Sequence, residues 1–547
     1  MIMTKRISII LFSMLCSMSM LAQSSAVKKT ADAVFSLTTF KNDGSIVGTT
    51  NGVFIDNDGT CISAWKPFDC ADYAVVIDAK GNRHQVDAIY GANEIYDLVR
   101  FRIADKAPAS AKVAATHAAT SAKVWLVPNK KSDSPKEATV KSVETFMEKY
   151  AYYVVESPVA LSLNLDLYEG CPVVDANGQL LGLYHVSSSN QSVTDSRYTE
   201  EFKATGFSLN NATLRRTNIR IALPTDISQA RLALVFAKER GGTNFRKTVD
   251  DFIRLFPKEN DGYFEQALLA VKDSNITVAE STMQKAVKEV DNKAEAHYNY
   301  SRLMMMTGNL DKALAETQQA YALSSLPIYQ EQEAKVYYAK GEYQKAYDMF
   351  ISLTKTSMRN AELYYEAMQA RQQLGGSDAE LLALLDSAVA VCDTPYTAIA
   401  APYFLARGMQ HDKMKQYRKA MSDLYTYEAL YYGPLSAEFY YLRAQSEANG
   451  RIFQPALNDY ARAIALDPKN LMYWAEMASL TLRVGEKENA IKAAKRCIEL
   501  DPNYPDAYLI LGIAQVETGK KAEGIQNIEK AKQLGNTQAD NFLKKYK

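Results

Sequence analysis

From about residue 28 to 226, apolar and polar positions alternate in short runs bounded by Gly, Asn and Asp. Gly52-Val53-Phe54-Ile55-Asp56, Tyr73 to Ile77, Leu98 to Ile103, Val124 to Val127 and Leu180 to Val186 are examples. A period of two puts successive side chains on opposite faces, so these runs predict β-strands. Asn57-Asp58-Gly59, Lys80-Gly81-Asn82 and Ala176-Asn177-Gly178 predict the turns. Many short strands at this spacing predict a sandwich or a barrel. Beyond residue 245 the apolar period lengthens to 3.6, the period of helices. Residues 227–244 lie between the two regimes and are expected to form a linker.

The helical half is repetitive. Small anchor residues recur at Ala279, Ala313, Ala346, Ala379, Ala420, Ala456, Ala490 and Gly524, at intervals of 34, 33, 33, 41, 36, 34 and 34. Twelve residues before each anchor stand Ala267, Ser301, Ala334, Ala367, Gly408, Ala444, Ala478 and Gly512, and all of these are small. Two small columns let two antiparallel helices approach closely. Gly308, Gly341, Gly485 and Gly519 fall in the turns between them. Large residues such as Tyr263, Phe404, Tyr440, Trp474 and Tyr508 stand four positions before the first column. Asp467-Pro468 and Asp501-Pro502 close two units, because Pro cannot extend a helix. Over residues 245–545 this pattern resembles the tetratricopeptide repeat (TPR) family, in about eight units. The resemblance implies an all-α superhelix of helix pairs with a concave groove that binds a protein or peptide. The 41-residue interval places a longer loop near Cys392 to Ala400, and the units from Ala361 to Leu430 match least well.

The front half carries a second resemblance. Gly52 to Asp56, the Asp58-Gly59 turn and Thr60-Cys61-Ile62-Ser63-Ala64-Trp65-Lys66 follow the order of trypsin-like serine proteases, in particular their HtrA/Deg branch. Lys66 then stands at the position of the catalytic His. Tyr96-Asp97-Leu98-Val99 retains the Asp, as Asp97. Leu167-Tyr168-Glu169-Gly170-Cys171-Pro172 follows the nucleophile segment, with Glu169 at the Ser position and Leu167 at the oxyanion Gly position. The resemblance implies a trypsin-like double β-barrel over residues 28–226, closed by Ile219-Arg220-Ile221-Ala222-Leu223-Pro224. Acyl transfer on that scaffold needs a hydroxyl, an imidazole and amides aimed at the oxyanion. A Lys near its ordinary pKa of about 10.4 is a poor base at neutral pH. The domain is therefore expected to be a pseudoprotease, with Lys66 ion-paired between Asp97 and Glu169. The alternative is an active endopeptidase whose repeats recruit substrate. Cys171 with His84, His117 or His185 would be its thiol variant.

Counting along each first helix collects the inward positions Phe264, Tyr298, Arg302, Lys335, Tyr338, Tyr364, Arg371, Tyr441, Gln445 and Arg483 as the partner-binding set. Aromatic and basic residues of this kind are common at interfaces.

Composition narrows the picture. The 547 residues carry 63 Lys+Arg and 63 Asp+Glu, so bulk charge calls for no nucleic-acid partner. The 34 Tyr against 3 Trp fit the large columns and the groove of the repeats. Lys5 and Arg6 before the apolar run Ile9 to Leu15, with small Ala22 after it, predict a signal peptide over residues 1–22. Secretion to a periplasmic or extracellular space follows, with no membrane-spanning segment after cleavage. Cys61, Cys70, Cys171, Cys392 and Cys497 are expected as buried small hydrophobes, with one disulfide among the first three left open. No cofactor or metal motif is present, including the spacings of zinc sites and phosphate loops.

Overall fold

The computed structural model describes residues 25–129, 134–157, 168–186 and 191–546. The expected signal segment and Leu167 lie outside them. The chain divides into two compact units, Met1–Asn299 and Tyr300–Lys547.

The first unit opens with two closed six-stranded barrels. The first contains β1 (Val34–Phe40), β2 (Ile46–Phe54), β3 (Thr60–Ser63), β4 (Tyr73–Ile77), β5 (Arg83–Asn93) and β6 (Leu98–Ile103), in the order β1-β2-β3-β6-β5-β4. The second contains β7 (Lys123–Leu126), β8 (Lys136–Phe146), β9 (Tyr150–Glu156), β10 (Pro172–Val174), β11 (Leu180–Val186) and β12 (Gln191–Asp195), in the order β10-β11-β12-β9-β8-β7. Closure removes the free edges that an open antiparallel sheet would expose. Phe35, Phe54, Trp65, Phe68 and Phe101 fill the first barrel. Val124, Tyr153, Cys171 and Tyr184 are among the residues that fill the second. A third core, with Val53, Leu98, Leu183 and Tyr198, joins the two barrels.

Two expectations for this half are corrected. Ile219 to Pro224 is not a closing strand: Ile221 makes only an isolated parallel bridge to Ile89, and Ile219 and Ile221 plug the first barrel. With both barrels already closed, that segment has no free edge to join. Residues 227–244 are not an open linker, because Ile227–Arg240 is a helix capped by the Asp226 side chain. With Gly242–Leu255 it forms a helical core around Leu234, Val249 and Phe252.

Eight helix pairs follow, from Asn260–Lys272 with Ile276–Glu289 to Pro505–Glu517 with Lys521–Gln533, and the division between units falls inside Lys293–Met306. The short helix Ala539–Tyr546 packs Ala539 and Leu543 on the last pair. These sixteen helices form a TPR-like repeat region. The two small columns are buried where the helices of a pair meet, with one exception. Ala379 is exposed, and its place is taken by Leu381, 2% exposed. The turn Leu374-Gly375-Gly376-Ser377 delays the second helix of that unit to Asp378–Ala390. Among the described residues no helix is long and apolar enough to cross a membrane. All five described cysteines are free; Cys70 is exposed and Cys392 half-buried rather than buried.

Candidate functional site

Three segments meet at the seam of the barrels. Asp97 precedes β6 in a left-handed conformation (φ 48°), held by the Asn93 side chain, which accepts from the amides of Ile95 and Tyr96. Tyr96 stacks on Phe146 at 4.0 Å, tying this loop to the second barrel. Glu169 stands in the turn before β10. Its carbonyl accepts from the Asn51 amide (3.3 Å) and the Asn51 side chain (3.0 Å) of β2. Gly170 has φ +70°, and a Cβ there would lie 2.2 Å from Thr50 Oγ1, so the turn can approach β2 only as Gly. His185 extends from β11, beside this turn.

The Asp97 carboxylate accepts from the backbone amide of Lys66 at 2.7 Å. His185 Nδ1 lies 3.0 Å from Glu169 Oε1 and 3.8 Å from Asp97 Oδ2. The Val186 amide donates to the other Glu169 oxygen at 3.0 Å. The expected cluster is thereby corrected. The segments of Lys66, Asp97 and Glu169 do converge, but the Lys66 side chain is exposed and its ammonium joins no ion pair among the described residues. Lys66 begins a 3-10 turn over Lys66–Phe68, which gives its amide to Asp97 and leaves its side chain to water. The imidazole of His185 stands beside the two carboxylates instead, its Nδ1 hydrogen-bonded to Glu169. Asp97, Glu169 and His185 each offer one donor atom, all within 4.8 Å of one another, a set able to hold a divalent cation.

Cys171 is fully buried, and burial first, then the charge of Glu169, pushes its thiol far above the ordinary value. Buried in this way it is a structural residue rather than a nucleophile. His84 is occupied by Asp78 and Asp105.

On the repeats, the ten inward positions divide between the units: Phe264 and Tyr298 in the first, the rest in the second. Arg302 and Arg483 are exposed and the others half-buried. Several are engaged within the chain. Lys335 pairs with Glu331 (2.7 Å), Glu366 (3.2 Å) and Glu362 (3.3 Å). Arg371 pairs with Glu380 and lies over the Tyr347 ring. Arg483 donates to the Ala448 carbonyl and lies over Phe453. Tyr338 packs edge-on to Tyr343, and Arg359 lies over Tyr364. Tyr441 packs on Tyr460 and Tyr473 and accepts from Gln445 at 2.9 Å.

The sequence reading passed over Glu331, Glu366 and Glu476, which share this face. Glu331 stands in the same column as Tyr298 and Tyr364. A carboxylate on a helix resembles an ordinary solvated charge, and only burial distinguishes these. Glu476 lines a cavity of about 430 Å³ with Ala475, Ser479, Tyr504, Asp506 and Leu509.

Comparison with known proteins bears on the helical half. The tetratricopeptide repeat family model matches residues 264–326. The "Small glutamine-rich tetratricopeptide repeat-containing protein 2" of Saccharomyces cerevisiae is 30% identical over 93 residues, covering 17% of this chain and 27% of that protein. The "Tetratricopeptide repeat protein 37" of Xenopus laevis is 24% identical over 293 residues, covering 50% of this chain and 18% of that protein. The chain thus spans about a quarter or less of the length of these relatives. Among solved structures, YrrB, a TPR protein with an unusual peptide-binding site, aligns at 16% identity and a TM-score of 0.32, over 36% of this chain and 97% of its own. The active form of the Rv3671c protease from M. tuberculosis aligns at 14% identity and a TM-score of 0.29, over 37% of this chain and 88% of its own.

Proposed function

We propose that this is a secreted binding protein whose repeats hold a protein or peptide partner, and whose paired barrels are a trypsin-like module without serine-protease chemistry. Two six-stranded barrels in tandem, with Asp97 and Glu169 meeting at their seam, support the trypsin-like reading. The observation that carries the reading is the content of that seam. Peptide hydrolysis on this scaffold needs a hydroxyl beside an imidazole that a carboxylate orients. Here the group on the imidazole is a second carboxylate, Glu169, and the residue in the His position, Lys66, turns its side chain to solvent. A carboxylate can share a hydrogen bond with His185 but cannot serve as the alkoxide. The Asp97–His185–Glu169 arrangement is a polar joint that ties the two barrels together.

Incubation with unfolded casein, alongside a fluorophosphonate probe and a thiol probe, tests this. The expected result is no turnover and no active-site labelling. Turnover that disappears in Cys171→Ala, or in Glu169→Ala combined with Lys66→Ala, would establish the alternative, an endopeptidase whose repeats recruit substrate. Fractionation of cells expressing the full chain tests secretion. Recovery outside the cytoplasm, with residues 1–22 removed, is the expected outcome.

A further inference from the structure

The first-helix face of the second unit carries carboxylate charge that the chain does not neutralise, in two separate places. In the first, one ammonium serves three acids: Lys335 against Glu331, Glu362 and Glu366. Glu366 is mostly buried, and its Oε2 has no hydrogen-bond donor. Burial, more than the attraction of Lys335 can offset, holds its pKa up at about 7. In the second, Glu476 is half-buried in its 430 Å³ cavity and makes no hydrogen bond or ion pair among the described residues. Its pKa is also raised by burial. Arg483 is the cation whose charge reaches it, and Arg483 is held by the Ala448 carbonyl and the Phe453 ring. Exposed Asp506 adds a second acid to the same cavity.

The aromatic surroundings point the same way. Tyr504 lines the cavity, and Tyr441 and Tyr460 also feel the charge of Glu476. Tyr ring faces attract cations. Ala475 and Leu509 supply an apolar floor on which a long aliphatic stem can lie while its charged head meets the carboxylate. Of the four basic residues read from the sequence as partner contacts, Lys335, Arg371 and Arg483 have named partners within the chain, and Arg302 is engaged too. The charge left over at these two sites is therefore negative.

Taking the repeats as the partner-binding surface, we propose that this face recognises an extended peptide segment through its basic side chains, with one Lys or Arg seated on Glu476 beside Tyr504 and another meeting exposed Glu362 at the Lys335 cluster. The choice of a cationic segment follows from charge complementarity at two sites, each with more acids than bases.

The test uses the purified full chain and two fluorescent peptides of identical length. One carries Lys and Arg at alternate positions, and the other carries Glu at the same positions. The basic peptide is expected to bind and the acidic one not. Glu476→Gln should weaken the basic peptide about tenfold, which corresponds to about 1.4 kcal/mol. Glu488→Gln removes the same charge from an exposed site on the second helix of that repeat, and should change nothing. Equal binding of the two peptides, or an unchanged affinity in Glu476→Gln, overturns the proposal. Because Glu476 has no partner to lose, its variant should fold normally. A second arm pans a random peptide library against the chain carrying a photo-crosslinking amino acid at position 441. Crosslinked peptides without basic residues overturn this proposal and leave partner binding standing. Failure to crosslink any peptide overturns both.

Discussion

At the scale of single residues, buried carboxylates set the chemistry of the second unit. Glu447 is fully buried on Ala437–Asn449; one oxygen accepts from the Tyr425 hydroxyl and the other has no donor. Burial raises its pKa to about 7, against the hydrogen bond from Tyr425, and the nearby Asp459 adds to the rise. The folded chain thus keeps a proton that the unfolded chain releases near the ordinary value of 4.5. Stability must fall as pH rises across the interval from about 4.5 to about 7, and Glu366 contributes with the same sign. Melting of Glu447→Gln should therefore show a shallower loss of stability over this interval, and a higher melting temperature than the parent above pH 7. Parallel melting curves would refute this account. The variant keeps an acceptor for Tyr425 and removes only the ionisation.

At the scale of elements, each of the eight helix pairs turns through one left-handed residue two positions past the end of its first helix. Five are Gly: Gly308, Gly341, Gly375, Gly485 and Gly519. The other three are Ser274, Lys415 and Arg451, with φ of 59°, 58° and 63°. A side chain in this conformation costs about 1–2 kcal/mol, partly offset by the entropy that Gly loses on folding, about 0.5–1 kcal/mol. Lys415→Gly and Arg451→Gly should each stabilise the second unit by about 0.5–1 kcal/mol in urea titration. The last pair gives the opposite prediction. A Cβ on Gly524 would lie 2.6 Å from the Gly512 carbonyl oxygen and 2.8 Å from the Val516 amide nitrogen, both backbone atoms. The helix-propensity gain of Gly524→Ala, about 1 kcal/mol, should be outweighed by overpacking of about 1–3 kcal/mol. Amide exchange in Pro505–Glu517 and Lys521–Gln533 should then accelerate. The same packing explains why the Ala379 anchor misled. A Gly-Gly turn shifted the helix by two residues, and a larger Leu381 was accommodated in the small column.

At the scale of the whole molecule, the first unit joins barrel to helix through one buried cation. Arg220, 5% exposed, pairs with Asp87 of β5 and with Asp251 of Gly242–Leu255. Replacing it leaves Asp87 with Arg102 and Asp251 with Arg254 but removes the one link between them, so the loss should stay at or below the about 3–5 kcal/mol of a broken buried pair. Arg220→Met should raise amide exchange across Ile227–Arg240 and Gly242–Leu255 while leaving β10 to β12 protected. Equal exchange in parent and variant would show that apolar packing alone holds these helices. Asp251→Asn, which removes one of the two charges, should be milder.

Periodicity determined the class of each half, because the two-residue and 3.6-residue periods are local properties of the chain. The strands Tyr73–Ile77, Leu98–Ile103 and Leu180–Val186 were legible to the residue. Seven of the eight repeat anchors were legible as well, since close helix approach admits only small side chains there. The resemblance to trypsin-like proteases also implied that the segments of Lys66, Asp97 and Glu169 converge. Which side chain stands between the two acids was decided only by tertiary structure. His185 lies sixteen residues beyond Glu169 and becomes its neighbour through the hairpin of β10 and β11, while the turn at Lys66 sends the ammonium outward. The charge left around Lys335 and at Glu476 was decided in the same way. Sequence shows a charge but not its partner, and the net charge left on a surface depends on which of its acids and bases already neutralise one another.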